Sequence, residues 1–281
     1  MKTKIAFIVA TLSLSLTISA QTAIGNGAPS SGPYTIVDRG PNSRTWAATV
    51  VETDPFGGNI ARTNYIYELA TGMHYKGPNG EWLESQEVFS ILPDGSGAVA
   101  TQGVYQVFAP ADIYDGVIAV TLPSGKVIHT RPVAISYFDG TNNTLIAELT
   151  NSVGELTPDG RQVVWPSAFT DFRADLVATY NRGCFECDLV FREQPPTPQS
   201  LGLPENCRLQ LLTETFDSPE PVVDIQSTPV TDPASSTNSA MSANVADSVT
   251  LHFGGMSMPS GKAFFIGAPG NSTNSFKVRK S

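Results

Sequence analysis

Residues 117–129, VIAVTLPSGKVIH, decide the fold of this chain. Apolar side chains recur at every second position over 117–122, which is the pattern of a β-strand with one buried face. The Pro-Ser-Gly turn at 123–125 follows, because proline presets the first turn position and glycine accepts a positive φ. A second predicted strand, Lys126–His129, then follows the turn. The stretch therefore predicts a β-hairpin.

The same unit recurs through most of the chain. Turn signals such as those at 93–95 and 158–160, both Pro-Asp-Gly, separate runs with a period of two. The predicted strands are Arg44–Thr53, Tyr65–Leu69, Gln86–Leu92, Val104–Phe108, Val117–Leu122, Lys126–His129, Val133–Phe138, Leu145–Leu149, Gln162–Trp165, Asp175–Tyr180, Phe185–Phe191 and Arg208–Thr213. This spacing predicts an all-β fold, a large antiparallel β-sandwich of consecutive hairpins that is supersandwich-like in size.

The N-terminus has the features of a secretory signal peptide. Lys2 and Lys4 precede an apolar run at 5–18, and small residues follow it. We therefore predict a signal peptide over residues 1–20 with cleavage near Ala20-Gln21. The apolar run is too short to span a bilayer, so a secreted or cell-envelope protein without membrane insertion after cleavage is expected.

Composition also predicts the domain boundaries. Residues 21–33 are rich in Gly, Pro, Ser and Ala and predict a disordered leader before an all-β domain at 34–217. Residues 218–248 are rich in Pro, Ser and Thr and predict a flexible linker. Residues 249–281 predict a β-hairpin segment, with strands at Val249–Phe253 and Lys262–Ile266, that either docks on the main domain or begins a second one.

The net charge of −9 and the charged fraction of 15% narrow the classes of partner. Nucleic acids are bound through a basic surface, and the chain has no cluster of Lys and Arg outside its extreme C-terminus. Nucleic acid is therefore excluded as a partner.

Three cysteines offer the clearest covalent chemistry. Cys184 and Cys187 form a C-x-x-C pair, but a strand follows where a thioredoxin-like site needs a helix. A structural zinc site needs four ligands, and Cys207 has no histidine near it in the sequence. An oxidising compartment instead predicts a disulfide from Cys207 to either Cys184 or Cys187, with one thiol left over, and buried free thiols are the alternative. No metal and no cofactor is predicted.

Aromatic residues supply the best binding candidates. Flat rings stack on the apolar faces of sugars, and many aromatic side chains lie on predicted strands, among them Trp46, Trp165, Tyr65, Tyr105 and Tyr137. Core packing is the alternative role for these rings, above all for Trp46 and Trp165, which lie among aliphatic residues. Within the set we expect ligand contacts at three residues: Trp82, Tyr75 and Tyr67.

Catalytic signals are weaker. His74, His129 and His252 lie far apart in the sequence, and no Gly-x-Ser-x-Gly motif accompanies them. A glycosidase needs two carboxylates about 5–10 Å apart, and the spacing selects no pair from among Asp171, Asp175, Glu186 and Asp188. No catalytic residue is predicted.

One long stretch resembles a known group of proteins. Residues 44–95, RTWAATVVETDPFGGNIARTNYIYELATGMHYKGPNGEWLESQEVFSILPDG, resemble the N-terminal β-rich region of large exported bacterial proteins, some of which carry RHS/YD repeats. The resemblance continues through later stretches such as AFTDFRADLVATY at 168–180 and covers about Tyr34 to Gly267. The element HYKGPNGEW at 74–82 is similar to hairpins of wall-associated and RHS proteins. The resemblance implies export and β architecture, and it transfers no catalytic residue.

These observations predict a secreted, non-catalytic β-sandwich module with a structural or binding role at a bacterial surface. Its expected partners are extracellular polysaccharide or other envelope proteins. The alternative is a polysaccharide-active enzyme, a glycoside hydrolase or lyase, on a large β-sandwich.

Overall fold

A computed structural model gives the fold of the chain. It describes residues 7–8, 33–53, 55–230, 244–259, 261–265 and 276–278. Nearly all of the predicted signal peptide and leader, and the middle of the predicted linker, therefore lie outside the described residues.

The described chain is built of strands. In order they are β1 (Phe7–Ile8), β2 (Thr35–Gly40), β3 (Ser43–Thr53), β4 (Asn59–Leu69), β5 (His74–Lys76), β6 (Trp82–Glu84), β7 (Ser90–Ile91), β8 (Gly97–Ala100), β9 (Gln106–Pro110), β10 (Ile118–Thr121), β11 (Val127–Phe138), β12 (Asn143–Glu148), β13 (Glu155–Leu156), β14 (Gln162–Trp165), β15 (Ala174–Tyr180), β16 (Phe185–Phe191), β17 (Arg208–Phe216), β18 (Val222–Val230), β19 (Asn244–His252), β20 (Ser257–Met258), β21 (Gly261–Phe265) and β22 (Phe276–Val278). A 3-10 turn at Pro198–Leu201 is the one helical element among the described residues. The predicted all-β class is confirmed. None of the described segments is a helix long and apolar enough to cross a bilayer.

The larger sheet has seven strands, all antiparallel to their neighbours. Its order is β12-β11-β10-β9-β8-β7, and β17 pairs along the opposite edge of β11. The hairpin predicted at 117–129 is β10 and β11, with Val120 opposite Ile128 and Gly125 at a φ of +81° in the turn. The Pro-Ser-Gly turn at 123–125 therefore closes the hairpin as the sequence predicts.

The smaller sheet has four strands in the order β13-β14-β15-β16. Its central strand β15 is buried at every position. The inward face of β15 carries Leu176, Ala178 and Tyr180, and Leu189 lies opposite Leu176 on β16. Because successive strand residues point to opposite faces, the residues between them form the outer face of this sheet.

The core lies between the two sheets. Val107, Ile118 and Ile135 from the larger sheet pack in one cluster with Trp165 and Leu176 from the smaller sheet. The Trp165 side chain is fully buried, and its Nε1 donates a hydrogen bond of 3.1 Å to the carbonyl of Pro110 at the end of β9. The two sheets therefore form a β-sandwich that Trp165 spans.

Two tyrosines close one end of the core. The Tyr180 hydroxyl donates to the carbonyl of Tyr105 at 2.9 Å, and the Tyr105 hydroxyl donates to the carbonyl of Asn181. Burial, followed by the negative charge of Glu87, raises the pKa of Tyr180 to about 12. Burial likewise raises the pKa of Tyr105.

This tyrosine pair predicts loss of stability at high pH. Tyrosine in the unfolded chain ionises near pH 10, whereas the folded pair keeps its protons, so the unfolded state gains stability as pH rises from about 10 towards 12. We expect the part of the tyrosinate absorbance that appears last, from Tyr105 and Tyr180, to coincide with a cooperative loss of circular dichroism. Ionisation of all eight tyrosines near pH 10 with unchanged dichroism would contradict this.

Smaller sheets surround the sandwich. β2, β3 and β4 form one three-stranded sheet, β5 and β6 form a hairpin, β18, β19 and β20 form another sheet, and β1 and β22 flank β21. The segment 218–248 was expected to be a flexible linker, whereas in the structure it contains the strand β18. Val222, Val223 and Ile225 explain the difference, because β-branched residues favour strands even between prolines.

Candidate functional site

The most exposed regular element of the described chain is β4. β4 pairs with β3 over eleven consecutive residue pairs without a bulge, and none of the described strands pairs with its other edge. Every residue of β4 is exposed. The segment Asp54–Gly58 joins the two strands, and the described part of that turn is also exposed.

One side of this hairpin is uncharged and aromatic. Tyr65 lies opposite Ala47 and Tyr67 lies opposite Thr45, so both rings are on the same face, together with Leu69. Tyr65 is 56% exposed, and Tyr67 and Leu69 are each 71% exposed. We call Tyr65, Tyr67 and Leu69 the tyrosine face. The sequence signal for it was the alternation within 65–69, which places residues 65 and 67 on the same side.

The opposite side of the hairpin carries a network of charged groups. Arg44 Nη2 lies 2.7 Å from Glu84 Oε1, and the Arg44 guanidinium lies 5.6 Å from the centre of the Trp46 ring. Trp46 Nε1 donates to Glu68 Oε2 at 3.0 Å. Trp46 is therefore half-buried and hydrogen-bonded, rather than part of a stacking surface.

His74 joins this sheet to the β5–β6 hairpin. Its side chain is fully buried, and its Nδ1 lies 2.8 Å from the carbonyl oxygen of Gly40. Because a carbonyl only accepts, Nδ1 carries the proton. The His74 backbone N–H also donates to the carbonyl of Pro41 at 3.2 Å. His74 thus fastens the turn between β2 and β3, a structural role that spacing in the sequence did not reveal.

The three predicted ligand contacts do not form one surface. Tyr75 lies opposite Leu83 in the β5–β6 hairpin, whereas Trp82 lies opposite Lys76, so the two rings are on opposite faces. Lys76 Nζ lies 3.8 Å from the centre of the Trp82 ring, and Trp82 and Tyr75 are both half-buried. Tyr67 is on β4 beside Tyr65 instead. A sugar contact at Trp82 or Tyr75 stays a prediction.

The predicted disulfide is wrong, because none of the three half-buried cysteines is in a disulfide. Cys184 and Cys187 belong to the β15–β16 hairpin of the smaller sheet, whereas Cys207 precedes β17 of the larger sheet, and the fold does not bring Cys207 into bonding distance of either thiol. Cys187 and Cys207 pack against the core, whereas Cys184 contacts Asn181 and Glu186 at the hairpin turn. Burial raises the pKa of the Cys184 thiol, which disfavours the reactive thiolate.

The candidate carboxylates have structural contacts. Asp175 accepts from Arg192 Nε at 2.6 Å and from the backbone N–H of Ser167 at 2.8 Å. Asp171 accepts from the Thr170 hydroxyl at 2.6 Å. Glu186 and Asp188 lie on β16 on the same outer face as Asp175. Within the described residues no three His, Cys, Asp or Glu side chains are grouped as metal ligands would be.

Comparisons with known proteins do not assign the chain to a family. No family profile matches the sequence, and neither a curated protein nor a solved structure is similar to it.

Proposed function

We propose that the chain is a non-catalytic, exported β-sandwich module of a bacterial surface that binds extracellular polysaccharide on the tyrosine face. The observation that carries the proposal is the exposure of Tyr65 and Tyr67 side by side on β4. Two large rings on one face of a rigid strand are unusual at a surface without a ligand, because burying them is favourable.

The geometry suits a sugar chain. Residues two apart on a strand are separated by about 6.7 Å, so the two rings offer successive stacking positions along one direction. Tyrosine is a flat, amphipathic side chain with few rotatable bonds, so holding it against a ligand costs little conformational entropy. The hydroxyl of each tyrosine remains available to sugar hydroxyl groups.

The surroundings of the rings favour a neutral polysaccharide. Thr45, Thr49 and Thr63 lie on the same side of the β3–β4 ladder and carry hydroxyl groups. No charged residue of β3 or β4 lies on that side, since Arg44, Glu52, Arg62 and Glu68 are all on the other. The net charge of −9 further disfavours an anionic polymer.

Alanine substitutions in the tyrosine face test the proposal. We expect Tyr65→Ala and Tyr67→Ala each to weaken binding about fivefold to tenfold, since stacking of an aromatic ring contributes about 1 kcal/mol, and the double variant to lose detectable binding. Affinity electrophoresis of the purified chain in gels containing hydroxyethylcellulose, xylan or laminarin measures this, with polygalacturonate as an anionic comparison.

Tyr114→Ala is the matched control, because Tyr114 is 48% exposed and lies outside the tyrosine face. Trp82→Ala, assayed in parallel, tests the contact predicted from the sequence. If no neutral polymer retards the chain, the proposal is overturned. It is also overturned if Tyr114→Ala weakens binding as much as the substitutions in the tyrosine face do. Release of reducing ends from any polymer favours the alternative of a polysaccharide-active enzyme.

A further inference from the structure

We infer that the outer edge of β4 is an interface for a second copy of this chain, which pairs with it antiparallel about a two-fold axis at Tyr65. The paired edges would join two three-stranded sheets into one sheet of six strands. This inference goes beyond the proposed function, because it concerns the backbone edge of β4 and requires no glycan.

The edge of β4 lacks most of the features that normally prevent strand pairing. Proteins protect exposed edges with charged side chains, above all lysine, and with proline, bulges or short strands. Residues 59–69 contain neither lysine nor proline, the ladder with β3 has no bulge, and the strand is eleven residues long. The N–H and C=O groups along the free edge of β4 are therefore open to a second strand.

Charge selects one register of the pairing. In a symmetric antiparallel pair centred on Tyr65, residues whose numbers add to 130 lie opposite each other. Arg62 of each copy therefore lies opposite Glu68 of the other copy, which gives two such pairs. Pairs of opposite charge stabilise a cross-strand pair, and like charges destabilise it. A centre at residue 62 or 68 would instead bring two arginines or two glutamates together.

Both charged groups are accessible for this contact. The side chains of Arg62 and Glu68 are 65% and 47% exposed. Arg62 Nε lies 3.3 Å from Glu52 Oε2, an exposed pair of the kind that contributes little to stability. The contacts of Glu68 with Arg44 and Trp46 both use its Oε2 atom. The second copy would approach on the side away from β3.

The same register extends the tyrosine face. The two-fold axis is perpendicular to the sheet, so the tyrosine faces of both copies lie on one side of it. Tyr65 would lie opposite Tyr65 of the second copy, and Thr63 opposite the second copy's Tyr67. Four tyrosines would then form one continuous surface, twice the length that a single chain presents.

Charge reversal at two positions tests the interface and its register. Sedimentation equilibrium of the full chain should give twice the 29.9 kDa of the monomer. Arg62→Glu alone and Glu68→Arg alone should each raise the dissociation constant about tenfold or more, because two attractive pairs become repulsive. An equimolar mixture of the two variants should recover the dimer, because every position 62 again faces an opposite charge at position 68.

Recovery in the mixture shows that the single variants are folded, so a folding defect cannot imitate the expected result. Arg173→Glu is the matched control, because Arg173 is also an exposed arginine with a glutamate neighbour and lies outside β4. A monomeric mass for the unmodified chain up to high micromolar concentrations overturns the inference, as does a dimer that both reversals leave unchanged.

A cysteine at the two-fold axis tests the register independently. Tyr65→Cys should crosslink two copies under mild oxidation, whereas Tyr67→Cys, which would face Thr63, should not. The unmodified chain with its three half-buried thiols is the control. Equal crosslinking at both positions overturns the proposed register. Because none of these measurements includes a polysaccharide, their failure would leave the glycan proposal intact, and the reverse also holds.

Discussion

Trp165→Ala should lower the free energy of unfolding by about 4 kcal/mol, the largest single effect that we expect in this chain. Removing a fully buried tryptophan costs about 3–5 kcal/mol through lost burial and the cavity left behind. The substitution also leaves the Pro110 carbonyl without the indole N–H that now reaches it across the core. Since domains are stable by only about 5–15 kcal/mol, urea unfolding should begin at a much lower concentration.

Two further variants separate the contributions of packing and hydrogen bonding at this position. Trp165→Phe keeps an aromatic ring but loses the donor, and should cost about 1–3 kcal/mol. Trp82→Ala removes a half-buried tryptophan outside the core and should cost less than about 1 kcal/mol. A Trp165→Ala protein within 1 kcal/mol of the parent would contradict the view that this side chain holds the two sheets together.

Gly72→Ala should destabilise the chain by at least about 2 kcal/mol. Gly72 has a φ of +66°, a left-handed conformation that costs a side chain about 1–2 kcal/mol. A Cβ atom there would also overlap the backbone carbonyl of Arg182, which belongs to the turn between β15 and β16. The substitution therefore separates the turn before β5 from the sandwich.

Gly80→Ala provides the matched control for Gly72→Ala. Gly80 has a φ of +81°, but a Cβ atom there would meet nothing within 4 Å, so only the conformational cost applies. Hydrogen exchange should show loss of protection at residues 70–74 and 181–184 in Gly72→Ala and not in Gly80→Ala. Equal unfolding free energies for the two variants would show that the overlap with the Arg182 carbonyl does not contribute to the destabilisation.

The fold class could be predicted from the sequence because hairpins are local. Gly125 and the alternation on either side of it specify β10 and β11 without information from elsewhere in the chain. The strands predicted at Gln162–Trp165 and Phe185–Phe191 have these bounds in the structure. The alternation of apolar residues and the choice of turn residues both act over fewer than ten residues, so a single sequence contains all the information that they require.

The candidate site could be predicted only in part, because a sequence does not show which strand lies at an edge. Tyr67 was correctly placed on a strand, but the exposure of Tyr65 depends on its position on an edge strand, since no described strand lies beyond β4. A ligand contact was expected at Trp82, whereas the contact of its ring with Lys76 depends on the register of the hairpin. The cysteine pairing failed for the same reason, since distances between strands arise from tertiary packing.

The long strand β11 has a consequence for the time course of folding. One edge of β11 pairs with β10 and then with β12, while the other pairs with β17 along residues 129–138. β17 begins at Arg208, some eighty residues downstream, so this contact carries a high loop-closure cost and slows folding. A nascent chain that ends before Arg208 cannot complete the larger sheet. The larger sheet therefore remains incomplete during synthesis until β17 has been made.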